Sequence, residues 1–320
     1  MNELTKGVDP TIRSFLEELN SQSGPLIYEL SVKDAREVLI NIQKVDVKKL
    51  PADIEDKEIP AGPTGKVSIR IVRPKNNKQK LPVVMYFHGG GWVLGNKDTH
   101  DRLIREIANG AEAAVVFVNI TPSPEAKFPT AIEEAYSATK YIAENGNNMN
   151  LDPSRIAVAG DSVGGNMATV VTMMAKERMG PNIIFQLLFY PVTDSSFYTS
   201  SYKQFSTDYY LTRDAMKWYW ANYLPDKHKR KDPKASPLRA TIEDLEGLPA
   251  AMIINGEFDV LRDEGEAYAH KLNDAGVKVT AVRYLGTIHD FVMLNPLIDV
   301  PSTRAAIIQA NGMLREVFNK

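Results

Sequence analysis

The stretch "VAGDSVGGNMA", residues 158–168, decides how this chain is read. A short apolar run, "RIAVAG" at 155–160, leads into an acid and a serine, and two more glycines then open a segment with helical spacing. In Gly160-Asp161-Ser162-Val163-Gly164 the small flanking residues permit a very tight turn from a buried strand into a helix, because glycine lets the backbone pass close to its neighbours. Such a turn pushes the serine hydroxyl out at the carboxyl end of a sheet. It also sets the next backbone N–H groups at a helix N-terminus, where partial positive charge accumulates. Ser162 is therefore a candidate nucleophile with an anion site beside it. A glycine-rich turn merely capped by a serine is the plainer alternative. The apolar run before it and the helical pattern after it argue for the nucleophile.

Working outward, the same kind of run recurs. "LPVVMYF" (81–87), "AAVVFVNI" (113–120), "IIFQLLFY" (183–190), "PAAMIIN" (249–255) and "VKVTAVRYL" (277–285) are short and rich in Val and Ile. They suit the strands of a covered parallel sheet. "GKVSIRIVRP" (65–74) alternates with period two and reads as a strand open to solvent on one face. Between these runs, 99–109, 129–145, 163–178, 263–275 and 302–318 have helical periodicity, with Pro129 placed to open one helix and Gly146 to follow its end. The alternation predicts an α/β fold with a mostly parallel central sheet flanked by helices. Residues 10–21 and 33–43 are helical in pattern and precede any strand, an N-terminal addition. The interval 191–248 holds 58 residues, far more than a crossover needs, and 197–223 carries ten of the chain's 27 aromatics. It reads as a helical insertion with a small core of its own, and also as an apolar lid over a site.

A serine nucleophile needs a base, and the chain has only five histidines. His88 lies in a glycine motif, His100 at the start of a predicted helix, His228 in a basic loop and His270 within a helix. His289 follows the run 277–285 in "GTIHDF", at the same sheet edge as Ser162, and the chain order serine, acid, histidine is the one this turn predicts. The acid that fixes the imidazole tautomer should lie between them. "GEFDVLRDEG" (256–265) offers Glu257, Asp259, Asp263 and Glu264, and Asp194 is a weaker competitor. Asp263 and Glu264 have capping and dipole roles at a helix start, and Asp259 is favoured. "HGGGW" (88–92) follows the run 81–87 directly, and its glycines leave backbone N–H groups unobstructed. Gly90, Gly91 and Val163 are the expected oxyanion donors, with Gly89 serving the turn or adding a further donor. Trp92, Phe205 and Tyr209 are expected to line the substrate pocket.

Composition narrows the class. A formal net charge of −2 gives no electrostatic case for nucleic acid or an anionic membrane. No run approaches a membrane span, and the first twenty residues lack the apolar run of a signal peptide. The chain has no cysteine, which removes disulfides, thiolate metal sites and cysteine nucleophiles and fits a cytoplasmic protein. The outer strand 277–285 leaves pairing with a second copy, a homodimer, open.

Taken together, "HGGGWVLG", "TPSPEAKFPTAIEEA", "GDSVGGNMA", "YPVTD", "DVLRDEGEAYA" and "IHDF" resemble the α/β-hydrolase fold, and within it the bacterial branch of the hormone-sensitive lipase family. The resemblance is read over residues 83–291, with these stretches in the expected order. The resemblance implies a serine carboxylesterase acting on short- to medium-chain acyl esters, with a small-molecule ester as partner and no cofactor or metal. It carries the triad onto Ser162, Asp259 and His289 and gives His88 a loop-shaping role. It also implies a helical cap: N-terminal helices within residues 1–50, and an insertion at about 195–235 in a catalytic domain of 51–320. An amidase or lactone hydrolase would use the same apparatus, and a small-molecule receptor could share the scaffold. Two positions depart from the family pattern, Val163 for the usual alanine and Asp290 for the usual glycine. Val163 is expected to add bulk beside the acyl site.

Overall fold

The seven predicted runs become strands of one eight-stranded sheet in a computed structural model that describes residues 6–320. In chain order the strands are β1 (Ala52–Ile59), β2 (Val67–Pro74), β3 (Leu81–Phe87), β4 (Ala114–Asn119), β5 (Leu151–Asp161), β6 (Phe185–Phe189), β7 (Ala250–Phe258) and β8 (Val279–Ile288), arranged in the spatial order β1-β2-β4-β3-β5-β6-β7-β8. Only the pairings of β2 are antiparallel; β4, β3, β5, β6, β7 and β8 run parallel to one another. Every residue of β3 and β6 is buried, which is what apolar runs without alternation demand.

β1 escaped the sequence reading. Its residues, ADIEDKEI, are mostly charged and carry no apolar signal. It is an edge strand, held by full pairing with β2 and by ion pairs such as Asp56 with Arg70 and Asp53 with Lys75. Charge on an edge strand blocks pairing with other chains. β8 lies at the other edge and alternates accordingly, with Thr280, Ala281, Arg283 and Leu285 exposed. It also runs three residues further than its apolar run suggested, so Gly286, Thr287 and Ile288 belong to the strand, not to a loop.

The flanking helices are α3 (Asp101–Ala111), α4 (Thr130–Asn145), α5 (Val163–Glu177), α9 (Arg262–Asp274) and α10 (Pro301–Phe318). α3 packs on α10, α4 on α5, and α9 on β7 and β8. Ahead of the sheet come α1 (Pro10–Ser21) and α2 (Val32–Ile42); the long insertion contributes α6 (Ser200–Gln204), α7 (Arg213–Tyr223) and the short α8 (Ile242–Leu245). α2 is tied down by Arg36, which donates to the carbonyls of Val93 and Ser123 and pairs with Glu125. α1 meets the insertion where Asn20 Nδ2 donates to the carbonyl of Asp208 at 3.0 Å.

Candidate active site

The parallel strands β3, β5, β7 and β8 all end at one edge of the sheet. The glycine loop leaves β3, Ser162 follows β5, Asp259 follows β7 and His289 follows β8. Ser162 has φ 56° and ψ −119°, a conformation rarely open to a side chain-bearing residue, and it is held there by its neighbours. Its N–H donates to the carbonyl of Phe189, and its carbonyl accepts from Asn166 and Val192. The turn is as tight as its glycines suggest. A Cβ on Gly164 would lie 2.7 Å from the carbonyl carbon of Phe87 and nearer still to its oxygen, so α5 could not approach β3 with any larger residue there.

Three side chains from remote positions meet in a line. His289 Nε2 lies 3.0 Å from Ser162 Oγ, and His289 Nδ1 lies 2.7 Å from Asp259 Oδ2. Asp259 Oδ1 accepts from the N–H of Leu261 at 2.9 Å, which fixes the carboxylate. All three residues are buried, and the ring of Tyr190 stands edge-on to His289 with centroids 4.8 Å apart. Burial opposes a charged imidazole, but the carboxylates of Asp259 and Asp290 outweigh it and raise His289 to about 9. Asp290 occupies φ +60°, the region glycine favours and aspartate tolerates. Burial holds its carboxyl above the usual carboxylate range.

The competing acids are engaged elsewhere. Glu257 accepts from the N–H of Gly286, Asp263 from that of Ser201, and Glu264 from those of Thr193 and Asp194. Asp194 pairs with Arg239.

Gly90 and Gly91 sit at φ +100° and +65°, and among the described residues no acceptor takes their N–H groups. The N–H of Val163 opens α5, where the first turn has no internal acceptor. Gly89 is held from below: its carbonyl lies 2.8 Å from His88 Nδ1. Burial, with the nearby His100, lowers His88 to about 4, so the ring is neutral and donates from Nδ1. Beside it lies a cluster that sequence reading missed. Asp161 accepts from Tyr86 Oη at 2.6 Å and faces His100 Nε2 at 3.2 Å, all three fully buried. Burial would raise Asp161, but His100 and Tyr86 prevail and hold it below the ordinary range. The one available signal was an acid beside the nucleophile together with a histidine twelve residues past His88.

A cavity of about 410 Å3 opens over Ser162 and His289. Its walls come from the segment around 19–42 and from 208–219, with Leu26, Tyr28, Tyr210, Met216 and Tyr219 among them. The three residues expected to line it do not. Trp92 is stacked on Tyr223 with centroids 4.0 Å apart and packs against Trp220, under the insertion. Phe205 and Tyr209 pack with Phe258 and with each other. The aromatics with the strongest apolar claim were consumed in fixing the insertion to the sheet domain. The side chain of Val163 is also absent from the cavity wall. It is fully buried, because the turn that throws Ser162 outward sends the next side chain into the core.

The chain can now be set beside known proteins. A family model described as the alpha/beta hydrolase fold matches residues 84–293. The carboxylesterase NlhH of Mycobacterium tuberculosis is 37% identical over 270 residues, 83% of each chain. An ethyl acetate hydrolase of Pseudomonas putida is 35% identical over 72% of this chain and 73% of its own. The crystal structure of a thermostable esterase from Pseudomonas putida superposes with a TM-score of 0.96 at 51% identity, covering 98% of each chain. The chain belongs to the α/β-hydrolase-fold family, in its hormone-sensitive-lipase-like carboxylesterase branch.

Proposed function

We propose that this chain is a serine carboxylesterase that hydrolyses short- to medium-chain acyl esters through an acyl-enzyme on Ser162. The observation that carries the reading is the relay itself: nucleophile, base and acid lie in line at 3.0 and 2.7 Å, with Ser162 and His289 opening onto a cavity. His289 removes the Ser162 proton as Oγ attacks the ester carbonyl. The developing oxyanion is received by the N–H groups of Gly90, Gly91 and Val163, and His289 returns the proton to the departing alcohol. Water then repeats the sequence on the acyl-enzyme. Asp259 keeps the Nδ1–H tautomer and stabilises the imidazolium without itself taking the proton.

Residues up to about 50 and the insertion at about 195–235 act as one cap in this reading, since both supply walls of the cavity. The cavity's size suits a small ester, and its apolar side chains suit an acyl chain of modest length. Among the described residues no helix is long and apolar enough to cross a membrane.

The test is a burst of p-nitrophenol from an activated ester, with labelling of Ser162 by a serine-directed phosphonate. Ser162→Ala is expected to fold normally, lose activity by on the order of 10^4-fold or more and resist the label. Full activity in that variant would refute the reading.

A further inference from the structure

One ionisable side chain at the site has no part in the steps above. Asp290 follows His289 directly, is 7% exposed, and is one of the residues that line the cavity. Its Oδ1 lies 3.4 Å from His289 Nε2, the nitrogen that faces Ser162 Oγ, and among the described residues no donor bonds to it. The neighbouring carboxylates are engaged: Asp259 with His289 and Leu261, Asp161 with Tyr86 and His100. A buried carboxylate without a donor is costly, and a ligand that brings one is favoured by the same amount. This acceptor stands beside the atom that handles the proton in each half of the reaction.

On the reading that Ser162 is acylated, we propose that Asp290 is a second acceptor for the hydrolytic water and makes the enzyme select water over alcohols as the acyl acceptor. The form of the acyl-enzyme that reacts with water has a neutral His289, whose Nε2 carries a lone pair. A water there has two O–H bonds. One donates to Nε2 and the other to the Asp290 carboxylate, which leaves an oxygen lone pair for the acyl carbon. As the new C–O bond forms, the first proton passes to Nε2 and the carbonyl electrons move onto the oxyanion. When the carbonyl re-forms, the bond to Ser162 Oγ breaks, Nε2 gives its proton to Oγ, and the free acid leaves. Asp290 neither gains nor loses a proton. An alcohol has a single O–H. Once that bonds to Nε2, the carboxylate is left facing an alkyl group, without a donor and without water. One charge-assisted hydrogen bond separates the two acceptors, which corresponds to about tenfold in their partition.

The leaving alcohol departs from this same place, so the quantity to read is the partition of one acyl-enzyme, which does not depend on how fast it forms. The parent, Asp290→Gly and Asp290→Asn are given p-nitrophenyl butyrate with graded methanol or 1-butanol, and butyrate ester and butyric acid are measured. Glycine and asparagine both tolerate the positive φ at this position. The ester-to-acid ratio at fixed alcohol is expected to rise about tenfold in Asp290→Gly, to rise also in Asp290→Asn, and by the same factor for both alcohols. A ratio in Asp290→Gly within about twofold of the parent overturns the proposal. So does a gain that is larger for 1-butanol than for methanol, which reports cleared space instead of a lost acceptor. A parent that gives neither a burst nor an acyl adduct by mass fails at the earlier step, the acyl-enzyme itself, and takes this proposal with it.

Discussion

Gly91→Ala tests the proposed oxyanion role of the glycine loop most directly. The residue sits at φ +65°, where an alanine costs roughly 1–2 kcal/mol. Its new Cβ would lie 2.6 Å from Cε1 of Tyr219 and nearer to Cδ1 and Cγ, against the ~3.5–4.0 Å of ordinary carbon contact. One of the two must retreat by about an ångström or more. Tyr219 is 6% exposed, and the new methyl meets its ring at the Cγ–Cδ1 edge and not at the far end, so turning the ring does not clear it and the loop yields. An oxyanion donor displaced that far is in effect lost, at a cost of ~2.7–4 kcal/mol, or 10²–10³ in kcat. The assay is kcat and KM with a p-nitrophenyl ester, alongside thermal melting. We expect kcat to fall about 100-fold or more while KM changes by a few-fold, because the donor binds the transition state and not the ground state. Gly91→Ala combined with Tyr219→Ala opens the space again and should recover part of the loss. A single variant that keeps kcat within about threefold of the parent would show that the N–H of Gly91 holds no oxyanion.

Other outcomes follow from the same geometry. Asp290→Gly withdraws one of the three carboxylates that favour the His289 imidazolium, so the histidine pKa falls and the acidic limb of kcat/KM moves to lower pH; a limb that stays in place contradicts this. Val163→Ala is expected to leave the acyl chain-length profile unchanged and to reduce stability by about 1–3 kcal/mol, since its side chain fills core and not cavity; a broadened profile with unchanged stability would reverse that assignment. His100→Phe leaves the Asp161 carboxylate buried with only Tyr86 as partner, and urea unfolding should show a loss of about 3–5 kcal/mol. A loss under about 1 kcal/mol would mean that the pair is not coupled to folding.

Legibility in the sequence followed burial. The central strands announce themselves because a strand covered on both faces must be apolar throughout, and the turn at Ser162 does so because close backbone approach admits only glycine at 164. From there the edge on which His289 and Asp259 lie follows from strand direction alone. β1 was silent because an edge strand satisfied by β2 needs no apolar residue. The cavity walls were misread for a different reason. Aromatic richness signals that a segment is packed, but not on which side, and Trp92, Phe205 and Tyr209 face the insertion's own anchorage. Asp161 and His100 were hidden because their roles depend on a contact 61 residues apart in the chain.

The two walls above Ser162 are hung from stretches of chain 188 residues apart, joined near the rim by the Asn20 side chain and the Asp208 carbonyl. Neither stretch contributes an atom to the line of Ser162, His289 and Asp259, which stands wholly on loops of the sheet. In the proposed mechanism, admission and reaction then fall to separate parts of the polypeptide. Grafting a foreign segment in place of 10–30 would retune which molecules enter while the triad beneath keeps its alignment, whereas 205–223 also carries Tyr219, which packs against Gly91.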